Sequence, residues 1–265
     1  MKLAHRVSLG GVQLDEIDER ILIKAVEVGA GKETVTAVST GSGDGTRVTG
    51  KRRDSVEVQV KFSMNIRRDN MEARGELLEK INAWALQGGW LRVNYKPNRR
   101  LWADEVAVPG EGDLWKRLTE YTITFRAHAV PYWTEETPGT GSTGVASAAA
   151  GSLMTGGSAE AVADAILENR SGAMINSASI TIAGKTMTFA SLGLDGSERL
   201  EIDHVITQGK NVIRIRIRNA QGNYRSVLEK RSGPDEFTVK PGETAFSFEA
   251  QRACRLTVNV RGRFA

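Results

Sequence analysis

The 265-residue chain is short of the residues that cross-link small folds or hold metal ions. Its one cysteine, Cys254, excludes an internal disulfide and any metal site built on a cysteine cluster. The residues around it alternate as in a strand, so Cys254 reads as a small buried apolar residue. Three histidines occur, His5, His128 and His204, far apart and never at HExxH or HxH spacing, so each reads as structural. No apolar run approaches the roughly 20 residues that cross a bilayer. The first twenty residues, MKLAHRVSLGGVQLDEIDER, reach Gly10, Gly11 and the acidic residues Asp15, Glu16, Asp18 and Glu19 before any continuous apolar core. No export signal is read there, and synthesis and assembly in the cytosol are expected.

Charge of one sign is scarce too. The net charge is +4, from 36 basic and 32 acidic residues. Residues 1–133 hold 21 basic and 18 acidic residues, and residues 134–265 hold 15 and 14. Neither half is a basic domain built to grip nucleic acid.

What is present points to β-structure in two domains, since the length exceeds the usual domain size of roughly 100 to 200 residues. SVEVQVKFSMN alternates Val56, Val58, Val60, Phe62 and Met64 with polar residues, the period of a half-buried strand. ILIKAVEVG, WLRVNY, LWADEVAV and LTEYTITFRAHAV are further strand candidates. One segment breaks the pattern. In DNMEARGELLEKINAWALQGG, Met71, Arg74, Leu77, Leu78, Ile81, Trp84 and Ala85 recur at helical spacing, with Asp69 to cap the start and Gly88 and Gly89 to end it. Trp84, with Leu77 and Ile81, is expected to anchor this helix in the core.

From Thr134 to Ala163 the composition turns to Gly, Ser, Thr and Ala without bulky periodicity, which predicts a linker or long loop. Residues 164–265 then show short strands punctuated by turns such as AGK, LDGS, NAQGN and KPGE, the cadence of a β-sandwich or jelly roll. Only Ala163–Glu168 carries any helical suggestion there. In this second domain VIRIRIR sets Ile213, Ile215 and Ile217 on one face of a strand, so pleat geometry alone aligns Arg214, Arg216 and Arg218 on the other. Carboxylates on adjacent strands are the expected partners, and an anionic ligand is the alternative.

The motifs of chemistry are incomplete. GxGxxG at Gly139, Gly141 and Gly144 follows TEETP rather than a buried strand. AGKT at Ala183 lacks the first glycine of a phosphate loop, since position 179 is Ser, and reads as a hairpin turn. No GxSxG elbow exists. Asp203 with His204 forms half of an acid–base pair without a nucleophile. The chain is therefore read as no enzyme, without cofactor or catalytic metal.

The order of elements resembles the distal tail protein of long-tailed bacteriophages. The likeness is carried by VEVQVKFSMN, the helix with LLEKINAW, the junction GGWLRVNYKPNRRLWADEV, the ending YTITFRAHAVPYW, the Gly-rich connection, and DEFTVKPGETAFSFEA late in the second domain. The resemblance implies a mainly β fold. Residues 1–133 would be a tail-tube-like ring domain, a β-sandwich or barrel with one α-helix, and residues 164–265 a galectin-like β-sandwich pointing outward. It further implies a homo-hexameric ring in the virion, at the tail tip, joining the tail tube to the baseplate hub, with a channel for the tape-measure protein and DNA and with receptor-binding proteins as possible cargo. The large insertions that carry carbohydrate-binding modules in extended members are missing here.

A ring needs side-to-side contacts. TVTAVSTGSGDGTRVTGKRRDS from Thr34 suits such an arm, with β-prone flanks around a GSGDG tip, and a plain surface hairpin is the competing reading. At its base Lys51, Arg52 and Arg53 form a tight basic cluster. Asp15, Glu16, Asp18 and Glu19 are the densest acidic supply for it on a neighbouring subunit. Two other functions stay open, a tail-tube protein and a free-standing carbohydrate-binding module. The second domain has no Trp, and its only aromatics are Tyr224, Phe189, Phe237, Phe246, Phe248 and Phe264, a poor set for sugar stacking.

Overall fold

A computed structural model describes residues 5–39, 46–110, 113–207 and 210–265. The chain divides into two compact units, Met1–Trp133 and Thr134–Ala265.

In the first unit the strand Thr46–Met64 is the organiser. Its second half lies between Ile21–Val28 and Tyr121–Ala127, antiparallel to both, with Glu105–Ala107 beyond the latter. Val56, Val58, Val60, Phe62 and Met64 are all buried, the face that alternation predicts. The other face is polar and paired, as in Lys61 with Glu27 at 2.7 Å and Arg126 with Glu57 at 2.9 Å. A second sheet sets Val7–Leu9 between Val12–Gln13 and Gly89–Val93, with Arg99–Ala103 next.

The helix Met71–Leu86 joins these sheets. Leu77 and Ile81 are buried on it, and Trp84 stands edge-on to Phe125 at 6.0 Å while its Nε1 donates to the Val12 carbonyl at 3.2 Å. Its amino-terminal cap is Asn70 rather than the expected Asp69, because the Asn70 side chain is the one that accepts from the Ala73 N–H at 3.2 Å. Gly88, at φ 61°, takes the left-handed position that ends the helix. The expectation of a single helix is corrected by two short ones, Leu14–Ile17 and Asp113–Arg117.

The second unit is built around Gly242–Val260, also 19 residues long. Its first half pairs with Ala178–Ile182 and its second half with Ala161–Asn169, so one strand serves both ends of the sheet system. Arg199–Thr207, Lys210–Arg218 and Tyr224–Ser226 follow on beyond Ala161–Asn169. The AGK turn is a tight hairpin, with Ala183 and Gly184 both at positive φ between Ile182 and Lys185.

Two expectations fail here. Residues 134–163 are not a linker: Gly139–Ser142 and Ala146–Thr155 run antiparallel along Gly242–Val260, from Gly139 opposite Val260 to Thr155 opposite Gly242. Small residues are needed by packing rather than for flexibility. A Cβ on Gly141 or Gly151 would fall within 2.7 to 2.8 Å of the Phe246 ring. The helical suggestion at Ala163–Glu168 fails as well, since Ala161–Asn169 is a strand with every second residue buried.

Candidate assembly surfaces

Among the described residues, the first half of Thr46–Met64 leaves its sheet and pairs only with Lys32–Ser39, making a two-stranded ribbon. Its GSGDG tip lies outside the described residues. Both strands carry exposed valines, Val35 at 48%, Val38 at 55% and Val48 at 57%. A two-stranded ribbon has no third strand or helix to cover its apolar side chains, and such hairpins are marginal alone.

The basic cluster at its base splits. Lys51 sits opposite Val35 in the ladder. Arg52 is solvent-facing and bridges to Asp54 at 2.9 Å. The Thr34 hydroxyl and then Arg52 bond the Asp54 carboxylate and hold its pKa below the usual range. Arg53 turns inward: its guanidinium occupies the space a Gly31 side chain would fill and lies 5.4 Å from the Tyr132 ring centre.

The acidic run is also divided. Asp15 and Glu16 belong to Leu14–Ile17, where Glu16 closes a capping box with Gln13. Asp18 is held by Arg20 at 2.6 Å, and this hydrogen-bonded pair sets its pKa far below that of an ordinary carboxyl. Glu19 lies on the following turn. Among the described residues no ion pair joins Asp15, Glu16, Asp18 or Glu19 to Arg52 or Arg53.

The arginine row of the second unit is answered within the fold. The register sets Asp203 opposite Arg214 and Glu201 opposite Arg216. Arg214 pairs with Asp203, and Arg216 reaches Glu201 at 3.2 Å and stacks on Tyr224 at 3.8 Å. Ile215 and Ile217 are buried on the reverse face, and Ile213 packs partly buried against the same core.

Other polar groups depart from the sequence reading. His204 is partnered by Asp164, Nδ1 to Oδ1 at 2.8 Å, and not by Asp203, whose carboxylate faces Arg214. His128 lies 2.8 Å from Glu105. Among the described residues no cluster of His, Cys, Asp and Glu could hold a metal ion. Burial pushes the Cys254 thiol up to about 11.

Arg74 was missed as a polar hub. Counted in the helix's apolar stripe, it is 2% exposed and donates to the carbonyls of Ile66 at 2.8 Å, Lys116 and Leu118, and to the Tyr121 hydroxyl at 3.0 Å. A charge at a core position of a helix was the available signal, because a buried guanidinium must find acceptors.

These surfaces carry an arm, ion pairs and packing. Among solved structures, the chain aligns over 99% of its length with the whole of the SPP1 Dit (gp 19.1) protein, described as a paradigm of the hub adsorption apparatus in phages infecting Gram-positive bacteria. The TM-score is 0.68 at 12% identity. The chain has the Dit fold. A component of the phage P2 baseplate, in its activated conformation with Ca, covers 98% of both chains at 9% identity and TM-score 0.49. No family model matches the chain, and no curated protein matches it in sequence. At such identity the Dit likeness lives in strand order and packing, and the individual letters have diverged.

Proposed function

We propose that this chain is a structural virion protein that forms a homo-hexameric ring at the distal end of a phage tail. It connects the tail tube to the baseplate and host-adhesion device and leaves a channel through which DNA and the tape-measure protein pass without specific binding. The carrying observation is the end-to-end alignment with SPP1 Dit, 99% of this chain on 100% of that one, which accounts for both units.

The ribbon Lys32–Ser39 with Thr46–Met64 supplies the side-to-side contact. Heterologous contacts that repeat by rotation close into rings, and an exposed two-stranded arm supports strand addition across a subunit boundary. The second unit serves as the attachment platform, and neither unit is an enzyme. Native mass spectrometry and negative-stain imaging of the full chain are expected to show a closed ring of six copies. A monomer at every concentration, or an open filament, overturns the reading.

A further inference from the structure

On the outer face of the second unit's sheet, the antiparallel register sets Glu168 opposite Arg199 and Arg199 opposite Arg218. Nearly every guanidinium around this row has a carboxylate. Arg170 takes Glu168, Arg199 takes Glu201 at 2.7 Å, Arg214 takes Asp203, Arg216 takes Glu201 at 3.2 Å, and Arg225 takes Glu198 at 2.8 Å. Arg218 and Arg255, the latter opposite Glu168 on Gly242–Val260, are the exceptions among the described residues, and of the two only Arg218 lines the cleft at the end of these strands. The partner of Arg218 is the Tyr224 ring, 5.6 Å away, and that ring already carries Arg216 at 3.8 Å. Like charges directly opposite in a ladder repel, and although Glu201 offsets Arg199, no carboxylate offsets Arg218.

Arg218 and Arg199 both line a cleft of about 690 Å³ at the end of these strands, closed by the turns around Gly172 and Gly196. Its two glutamates are spoken for: Glu168 by Arg170, and Glu198 by Arg225 and by the Asp195 N–H at 2.9 Å. Three arginines and two glutamates in the lining leave one positive charge, on the residue without a carboxylate. Guanidinium forks suit phosphate oxygens, and the volume lies in the range of small-molecule sites, far larger than one phosphate.

We infer that this cleft binds a phosphate group carried on a larger polar molecule, held by Arg218 with Arg199 beside it. The inference stands apart from the ring reading, since it needs only the second unit's own lattice of charges.

The test is calorimetric titration of the full chain with inorganic phosphate, glucose 6-phosphate and glucose. Glucose 6-phosphate is expected to bind, more weakly as salt rises, and glucose not to bind. Arg218→Gln is expected to lose at least about tenfold in affinity, the scale of one charge-assisted hydrogen-bond pair, and Arg218→Lys, which keeps the charge without the fork, to fall between. An unchanged melting temperature for both variants shows that the fold is intact. Tighter binding of glucose 6-phosphate than of inorganic phosphate supports the carried group, whereas equal binding overturns that part and leaves a site for the free anion. Glucose binding as well as its phosphate, no phosphate binding at all, or full affinity in Arg218→Gln overturns the site.

Discussion

Two strands of equal length organise the two units, Thr46–Met64 in the first and Gly242–Val260 in the second, 19 residues each. Gly242–Val260 has neighbours on both sides at Phe246–Glu249 and again at Thr257–Val260, with Ala146–Thr155 and Gly139–Ser142 on one side and Ala178–Ile182 and Ala161–Asn169 on the other. Thr46–Met64 has two neighbours only over Val58–Phe62, and before Val56 a single one, Lys32–Ser39. Burial follows. The doubly paired lengths show alternate residues buried, and in the singly paired length Val48 and Arg52 are exposed and Arg53, Asp54 and Ser55 half-buried. Strand formation thus needs only one partner, whereas a core needs layers.

Substitutions in the doubly paired lengths, or in side chains packed against them, should therefore cost the most. Trp84→Ala, which removes the side chain packed on Phe125, and Phe248→Ala, in the middle of Gly242–Val260, are each expected to lose about 3–5 kcal/mol in urea titration. Val48→Thr in the ribbon should stay within about 0.5 kcal/mol for the isolated chain. A ribbon variant as damaging as the core variants would mean that the arm folds back on its own unit.

A middle effect is expected where the sequence misled. Gly141→Ala places a methyl group against Phe246 and Leu153 and should cost about 1–3 kcal/mol through overpacking. A neutral or stabilising result would restore the linker reading of that segment, since glycine in a flexible linker gives way to alanine without strain.

That segment shows where sequence legibility ended. Alternation at Val56–Met64 and at Ile213–Ile217, and the helical period around Leu77, Ile81 and Trp84, were readable because a periodic apolar set can satisfy only one geometry. Gly139–Thr155 has no such set. It is a strand because Phe246 and Leu153 need a partner made of backbone and small side chains, a demand written more than ninety residues away in the case of Phe246. The ion pairs behaved alike: a carboxylate for Arg214 and Arg216 was foreseeable from strand adjacency, but which carboxylate, and that Arg218 would have none, depends on register. His204 found Asp164 forty residues upstream for the same reason, and its sequence neighbour Asp203 lay on the arginine side of the sheet.

The smallest effect on folding, and the sharpest on assembly, is expected at the base of the ribbon. Arg52 projects into solvent, and its companion Asp54 is held chiefly by the Thr34 hydroxyl and only then by Arg52. A carboxyl whose pKa is lowered in the fold lends its stability at neutral pH and loses it only as pH falls through that depressed value, so the Thr34–Asp54 link persists below the ordinary 3.8. Reversing Lys51 and Arg52 to Glu together should therefore leave the urea midpoint at pH 7 unchanged. Arg53 differs, because its guanidinium lies against Gly31 and over Tyr132. Arg53→Glu should lower the midpoint by itself, which separates this residue from Arg52. If Asp15 and Glu19 of an adjacent copy meet this cluster, the double reversal abolishes rings, and a compensating reversal of those two carboxylates to Lys restores them. Rings at normal yield from the double reversal alone would place Lys51 and Arg52 away from the subunit boundary, and abnormal DNA ejection from such rings would place them at the channel.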